Sequence, residues 1–326
     1  MTPATFSLLP AECHDQILSF LRYKDLVRVS MTNVDAWLAY FRVQGRLESI
    51  RVENMAGKRK RRALFSQLRA TTGLKTLSLV NVPHPCTGVL FQQVSCMHGL
   101  QELDLSSNGL KGPLPRWLSK HLPLLRRLSL SNNQLSGSLP VEWGAFSRLE
   151  DLKLSFNRLE GNVPETWAGM RSLRLLSLSY NQLSGPVPSF FSSLPALEAL
   201  MLGGNKFNGS LPASLGALSH IHALYLFQNE LEGPIPEALG SCLALQILLL
   251  SHNRFTGPLP PFLGGLRQLE ELSVSANKLE GELPYDLKKL EHLHVLDLAD
   301  NRFAADAPRS RNVLEAMRLR DCQVYM

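Results

Sequence analysis

One sequence pattern, LxxLxLSxNxLxGxLP, recurs nine times between residues 100 and 308. Its asparagines follow one another at a step of 24 residues, except that the first step is 25. They are Asn108, Asn133, Asn157, Asn181, Asn205, Asn229, Asn253, Asn277 and Asn301. A fixed period of this length is typical of solenoids, in which each repeat packs only on its neighbours. The sequence therefore predicts a solenoid with a long surface suited to holding another protein.

The unit that begins at Leu149 shows what each position of the repeat contributes. Leu149, Leu152 and Leu154 alternate with polar residues, and a period of two predicts a short strand, one per coil of a parallel sheet. Asn157 follows the strand, and its amide can pair with backbone groups of its own and the next coil. Left unpaired, such groups cost about 1–3 kcal/mol each.

The second half of the same unit turns the chain back to the core. Gly161 supplies backbone freedom at the bend, and Pro164 can open a short helical or irregular segment because it has no N–H to satisfy. Trp167, Met170 and Leu173 then return apolar side chains to the interior.

The pattern resembles the plant-type class of leucine-rich repeats, whose signature is the LxGxLP ending. The resemblance implies an α/β fold, a right-handed solenoid of about nine full repeats with degenerate end repeats, and often a second, outer strand from the LxGxLP segment. Degenerate units are expected at Leu47, Ile50 and Val52 and at Leu74, Leu77 and Leu79. A last truncated unit is expected to contain Leu314, Met317, Leu319 and Cys322. Cys322 would stand at the position of the repeated asparagine, which we call the ladder position.

The cysteines and the hydropathy pattern favour an intracellular protein. The five cysteines are odd in number and include no CxxC, which favours a reducing compartment over a disulfide framework. The N-terminus has no secretory h-region, and no run of about 18 apolar residues predicts a membrane span. We therefore expect a cytoplasmic protein that binds no membrane.

The net charge of +6 is mostly local. Five consecutive residues, Lys58, Arg59, Lys60, Arg61 and Arg62, contribute most of it, so the remaining chain is near neutral and no nucleic-acid-binding face is predicted. The basic run is either a nuclear import signal, which would make the protein nuclear, or a solvated insertion in an imperfect first repeat.

The first 45 residues form a separate segment ahead of the solenoid, which we assign to residues 46–326. Residues 9–38 predict three short helices, too few to bury much core alone. They resemble an F-box, although Thr32-Asn33-Val34 and the late Trp37 depart from the family pattern. The resemblance implies docking on a Skp-type adaptor of a cullin–RING ubiquitin ligase through Leu9, Pro10, Ile17, Leu18 and Leu21. The alternative is a helical cap that only closes the core of the solenoid.

The sequence contains no catalytic constellation. Its nine histidines are scattered, no phosphate-binding loop occurs, and no ligand set has metal spacing. We therefore predict no enzyme activity and no cofactor.

The phase of the strands identifies the side chains of the binding face. Its middle coils carry aromatic and apolar residues, whereas its outer coils carry mostly charged ones, and such patches usually mark interaction sites. The predicted partner-binding residues are Phe156, Tyr180, Met201, Tyr225, Phe227, Leu249 and His252. The alternative is that these positions hold whatever residue a strand tolerates.

These observations predict a non-enzymatic interaction protein, monomeric apart from a ligase complex. The leading hypothesis is the substrate-recognition subunit of a Skp-cullin-F-box-type ubiquitin ligase, with a protein target on the concave face. The alternative is an intracellular leucine-rich-repeat scaffold or regulator, and a minor alternative is a receptor-like extracellular recognition domain.

Overall fold

A computed structural model of the chain describes residues 49–53, 73–82 and 87–326. The F-box-like segment and the basic run at 58–62 lie outside these ranges, so the adaptor-binding, nuclear-import and domain-boundary hypotheses stay predictions.

Two parallel sheets run along the described part of the chain. The inner sheet has twelve strands in sequence order: Ser49–Glu53, Thr76–Val80, Glu102–Asp104, Arg127–Ser129, Asp151–Lys153, Leu175–Ser177, Ala199–Met201, Ala223–Tyr225, Ile247–Leu249, Glu271–Ser273, Val295–Asp297 and Gln323–Tyr325. We call its solvent-facing side the concave face. The prediction of one parallel strand per coil is confirmed.

The outer sheet is the second strand that the LxGxLP segment was expected to add. Its nine strands are Lys111–Gly112, Gln134–Ser138, Arg158–Gly161, Gln182–Pro186, Lys206–Ser210, Glu230–Gly233, Arg254–Pro258, Lys278–Gly281 and Arg302–Phe303. The glycine of each full LxGxLP motif has a positive φ, +78° at Gly161, which bends the chain out of this strand.

In the part of the chain that the structure describes, short helices close the coils on the outer side. Seven are 3₁₀ helices: Val141–Ala145, Glu165–Gly169, Ser189–Ser193, Ala213–Ala217, Glu237–Ser241, Pro261–Gly265 and Tyr285–Lys289. Each follows a proline in extended conformation, such as Pro164, as the sequence predicts. Near the ends lie the α-helices α1 (Thr87–Val94), α2 (Leu118–His121) and α3 (Pro308–Arg318).

A continuous apolar core extends between the two sheets and the helices, from Ile50 to Cys322. Trp143 and Trp167 are almost fully buried in it and stack at 6.3 Å between ring centroids. Their indole N–H groups donate to the carbonyls of Pro115 and Pro140 in the preceding coils, which satisfies both polar atoms.

The asparagine ladder pairs with a different coil from the one expected. Asn205 Nδ2 donates to the carbonyls of Leu202 and Gly203 in its own coil and of Leu178 in the preceding coil. Its Oδ1 accepts from the backbone N–H of Leu183, also in the preceding coil. The reason is that the carbonyl left free where a strand ends faces the following coil, so the asparagine of that coil reaches back.

The C-terminal prediction of a truncated repeat is wrong in detail. Leu314 and Met317 lie in α3, Leu319 is 80% exposed, and Cys322 precedes the last strand instead of following it. Helix formers after Pro308 extend the outer segment into a full α-helix, with Val313, Leu314 and Met317 on its buried side. This helix caps the core where the repeats end.

Candidate functional site

The inner strands align the concave face into straight columns of side chains. Paired positions in neighbouring strands include Ser177 with Met201, Met201 with Tyr225, and Tyr225 with Leu249. Because each strand pairs without a register shift, the side chain at one repeat position lies beside its equivalents in the coils before and after it. The side chains that the sequence assigns to the binding face therefore lie in straight columns along the sheet.

One column has an unusual backbone. The residue before each ladder asparagine has a positive φ, between +51° and +67° in every coil. It is Ser107, Asn132, Phe156, Tyr180, Gly204, Gln228, His252, Ala276 or Asp300. Asn, Asp and Gly tolerate this left-handed conformation, whereas bulky aromatic residues seldom adopt it. Phe156 and Tyr180 are thus held in a backbone conformation that is costly for their residue type, whereas the conformation itself belongs to every repeat.

Four aromatic rings on this face contact one another across three coils. Phe156 and Tyr180 stack with centroids 4.5 Å apart, Tyr180 and Phe227 lie 5.9 Å apart, and Phe227 and Tyr225 meet edge to face at 6.5 Å. We call Phe156, Tyr180, Phe227 and Tyr225 the aromatic cluster. Phe156 and Tyr180 remain 51% and 41% exposed, so their faces are open to a ligand.

Two consecutive glycines make room for these rings. A β-carbon on Gly203 would lie 2.6 Å from Cε1 of Phe227, and one on Gly204 would lie 2.7 Å from Cδ1 of Tyr180. Both distances are far inside van der Waals contact, so the rings from the two neighbouring coils lie directly on this backbone. Because Gly203 and Gly204 carry no side chains, Tyr180 and Phe227 can approach each other across this coil.

The other predicted residues extend the cluster or lie beside it. Met201 and Leu249 flank Tyr225 in the neighbouring strands and are half-buried. Leu175 and Ile247 lie one column away, on the first positions of their strands. His252 is exposed and makes no ring contact within the described residues.

Charged residues border this apolar area on both sides. Towards the N-terminus, Arg127 donates to Glu102 at 2.6 Å and lies 3.5 Å from Asp151. Along the strand entrances, Arg126 pairs with Glu150 and Arg174 pairs with Glu198 at 2.6 Å. These pairs are largely solvent-exposed, so each contributes little to stability. They provide a polar rim around an apolar centre.

Neither a metal-binding group nor a reactive buried thiol is found among the described residues. No group of three or more His, Cys, Asp or Glu side chains that could hold a metal ion occurs within residues 49–53, 73–82 and 87–326. Burial raises the pKa of the Cys242 thiol to about 11 and raises the pKa of Cys322, which makes both poor nucleophiles. Burial also raises the pKa of the Tyr225 hydroxyl, and the negative charge of Glu271 raises it further.

Sequence reasoning found the members of the aromatic cluster but missed how they are joined. The left-handed column could have been read from its residue types, because Asn132, Gly204 and Asp300 are among the residues that tolerate positive φ. The role of Gly203 has no local signal, since it depends on a ring from the next coil.

Comparisons with known proteins agree with this geometry. A family model described as Leucine rich repeat matches residues 123–183, and another described as Leucine Rich Repeat matches residues 99–121, 244–266 and 268–290. The matched segments of this chain are leucine-rich repeats. The fold is accordingly an α/β leucine-rich-repeat solenoid, and modules of this kind serve protein interaction.

The similar proteins include plant receptors. Over 41 residues the chain is 54% identical to Receptor-like protein 30 of Arabidopsis thaliana, a match that spans 13% of this chain and 5% of that protein.

None of the helices in the part of the chain that the structure describes is long and apolar enough to cross a membrane.

Solved structures with the same fold include receptors crystallised with peptide hormones. The Arabidopsis receptor kinase HAESA, with the peptide hormone IDA, is 32% identical over 73% of this chain and 44% of its own, with a TM-score of 0.60. The plant receptor RGFR1, with RGF2, is 27% identical over 79% of this chain and 43% of its own, also at 0.60. A plant ice-binding protein is 27% identical over 74% of this chain and 79% of its own, at 0.59. The chain thus spans less than half the length of these receptors.

Proposed function

We propose that this protein is a receptor-like recognition module that binds a peptide or protein ligand on its concave face. The observation that carries the proposal is the aromatic cluster, a contiguous set of rings of which Phe156 and Tyr180 are exposed, bordered by paired charges. Tyr, Phe and Met are enriched at protein interfaces, and buried aromatic anchors dominate interface energetics. Two of the rings also occupy a left-handed backbone, a conformation that bulky aromatic residues seldom adopt.

The similar structures support a peptide or protein ligand over other ligand classes. HAESA and RGFR1 are described with bound peptide hormones, and this chain covers the repeat architecture that those receptors share. The ice-binding protein shows that the same fold also serves a ligand that is not a protein. A centre rich in aromatic and apolar side chains fits a peptide better than it fits a hydrated surface.

Replacing Phe156 and Tyr180 together by alanine tests the proposal. Both rings are exposed, so we expect the fold to survive while binding falls at least about tenfold, because two anchors are lost. The full chain would be used to select random linear peptides displayed on phage, and the affinities of the selected peptides would be compared between wild type and variant. Tyr285→Ala is the matched control, because Tyr285 is 57% exposed but lies in a 3₁₀ helix of the outer side.

Two results of that comparison would contradict the proposal. If Tyr285→Ala weakens binding as much as the double variant does, the loss is not specific to the concave face. If the double variant binds the selected peptides as tightly as wild type, the aromatic cluster is not the binding site.

The ubiquitin-ligase hypothesis remains a proposal that rests on residues 9–38 alone. We expect the full chain to co-purify with a Skp-type adaptor and cullin only if these residues act as an F-box. The measurement is co-expression of adaptor with the full chain and with a chain lacking residues 1–45. If neither the full chain nor the shortened chain recovers the adaptor, the segment is only a cap. If both chains recover it, the adaptor binds the solenoid.

A further inference from the structure

The aromatic cluster does not follow one column of the concave face but crosses the strands diagonally. It begins at Phe156 and Tyr180, at the exit of their strands, passes over Gly203 and Gly204, and reaches Phe227. From there it turns back to Tyr225, the last residue of its strand, and continues beside Leu249. A ligand that covers all of these side chains must therefore be long, narrow and extended across several coils.

The two ends of this diagonal carry charges of opposite sign. Lys153 lies on the coil of Phe156, is exposed, and makes no ion pair within the described residues. Glu271 opens the strand after that of Leu249, is half-buried, and likewise has no ion-pair partner among the described residues. Its negative charge acts on the Tyr225 hydroxyl, so it is electrically coupled to the far end of the cluster. The four inner strands between Lys153 and Glu271, which are Leu175–Ser177, Ala199–Met201, Ala223–Tyr225 and Ile247–Leu249, carry no charged residue.

A second carboxylate, that of Asp297 in the neighbouring strand, adds negative charge to the end of the cluster near Glu271. Asp297 in the next strand is held by the hydroxyls of Ser273 and Ser275, at 2.9 and 2.5 Å. These hydrogen bonds hold the side chain of Asp297 in place. A basic group arriving at this end would thus meet two carboxylates, whereas the opposite end offers the ammonium group of Lys153.

The separation of the two ends sets the length of the ligand. Five strand-to-strand steps lead from Lys153 through Ser177, Met201, Tyr225 and Leu249 to Ser273, in the strand of Glu271. At about 4.8 Å per step the ends lie roughly 24 Å apart, a distance that about seven residues of extended chain span at 3.3 Å each.

We propose that the ligand is an extended segment of about seven residues, apolar in its middle, with an acidic group over Lys153 and a basic group over Glu271. This inference rests on the proposed function and adds the orientation and charge pattern of the ligand. Opposed charges at the two ends fix which way a segment lies, because the reversed orientation places like charges together.

Peptide libraries with fixed end charges test this orientation. The full chain would select from four bead libraries of about seven residues, acetylated and amidated, with Asp and Lys, Lys and Asp, two Asp, or two Lys at the ends and random residues between. We expect one of the two mixed-charge libraries to be enriched over the other three. Lys153→Glu with Glu271→Lys should reverse the preference between the two mixed libraries, and each single change should weaken the selected peptides about tenfold.

Matched controls carry the same charge changes on the outer sheet. Lys278 and Glu280 are exposed in the strand Lys278–Gly281, so Lys278→Glu with Glu280→Lys should leave the preference of wild type intact. Equal enrichment of all four libraries, with binding still lost in Phe156→Ala with Tyr180→Ala, would overturn the charge pattern and leave the proposed function standing. Failure of every library, or binding that does not depend on the two rings, would overturn both.

Discussion

Asn205→Leu should destabilise the solenoid by about 1–3 kcal/mol, although leucine is close to asparagine in size. The amide of Asn205 makes four hydrogen bonds, to the carbonyls of Leu178, Leu202 and Gly203 and from the N–H of Leu183. The side chain is buried, so water cannot take its place. The three carbonyls keep another donor, from Asn181, Asn229 and the N–H of Tyr180, whereas the N–H of Leu183 loses its acceptor. A buried backbone group left without a partner costs about 1–3 kcal/mol.

The measurement is equilibrium unfolding in guanidinium chloride, with tryptophan fluorescence as the probe. Trp143 and Trp167 are buried in coils ahead of Asn205, so their signal reports whether the damage spreads through the array. Asn208→Leu is the matched control, because Asn208 is exposed in the outer strand Lys206–Ser210. A midpoint that falls equally for both variants would show that the loss comes from leucine itself and not from the ladder.

Gly264→Ala should destabilise by about 3 kcal/mol, an unusually large effect for a single methyl group. Gly264 is buried in the 3₁₀ helix Pro261–Gly265, and a β-carbon there would collide with the backbone carbonyl of Asp286 in the next coil. The neighbour is backbone and not a flexible side chain, so relief requires a shift of the whole coil. Gly144 and Gly216 meet Thr166 and Ala238 in the same way.

Gly265→Ala is an unusually close control for this prediction. Gly265 is the next residue of the same helix, is exposed, and has no atom within 4 Å of the place where a β-carbon would lie. Its replacement should change the free energy of unfolding by less than about 0.5 kcal/mol. Thermal unfolding of the two variants side by side checks both values, and similar midpoints would mean that the coils are not packed backbone to backbone.

The two predictions concern interfaces between coils, where most of the stability of a repeat array resides. Each coil is too small to bury its own core, so it depends on the coils before and after it. The ladder asparagines join the coils where the inner strands end, and the helix glycines allow close approach on the outer side. A rigid array of this kind is what holds the aromatic cluster in register across separate repeats.

The repeat period by itself predicts most of this fold. The spacing of leucines, asparagines, glycines and prolines is local, so strand, turn and helix positions can be assigned one coil at a time. The members of the candidate binding face could also be named, because the period of two assigns each side chain to one side of the strand. The charge-bearing residues of its margins followed from the same columns.

Contacts between coils required the tertiary structure. The sequence pattern shows Asn205 as a ladder residue, but only the packed coils show that it reaches back to Leu178 and Leu183. The C-terminal helix α3 replaced a predicted repeat because its apolar residues pack on a core that ends there. The link between Tyr180 and Phe227 depends on two glycines of an intervening coil. Local sequence therefore determined which residue occupies each position, whereas tertiary packing decided which residues touch, because those contacts join positions about 24 or more residues apart in the chain.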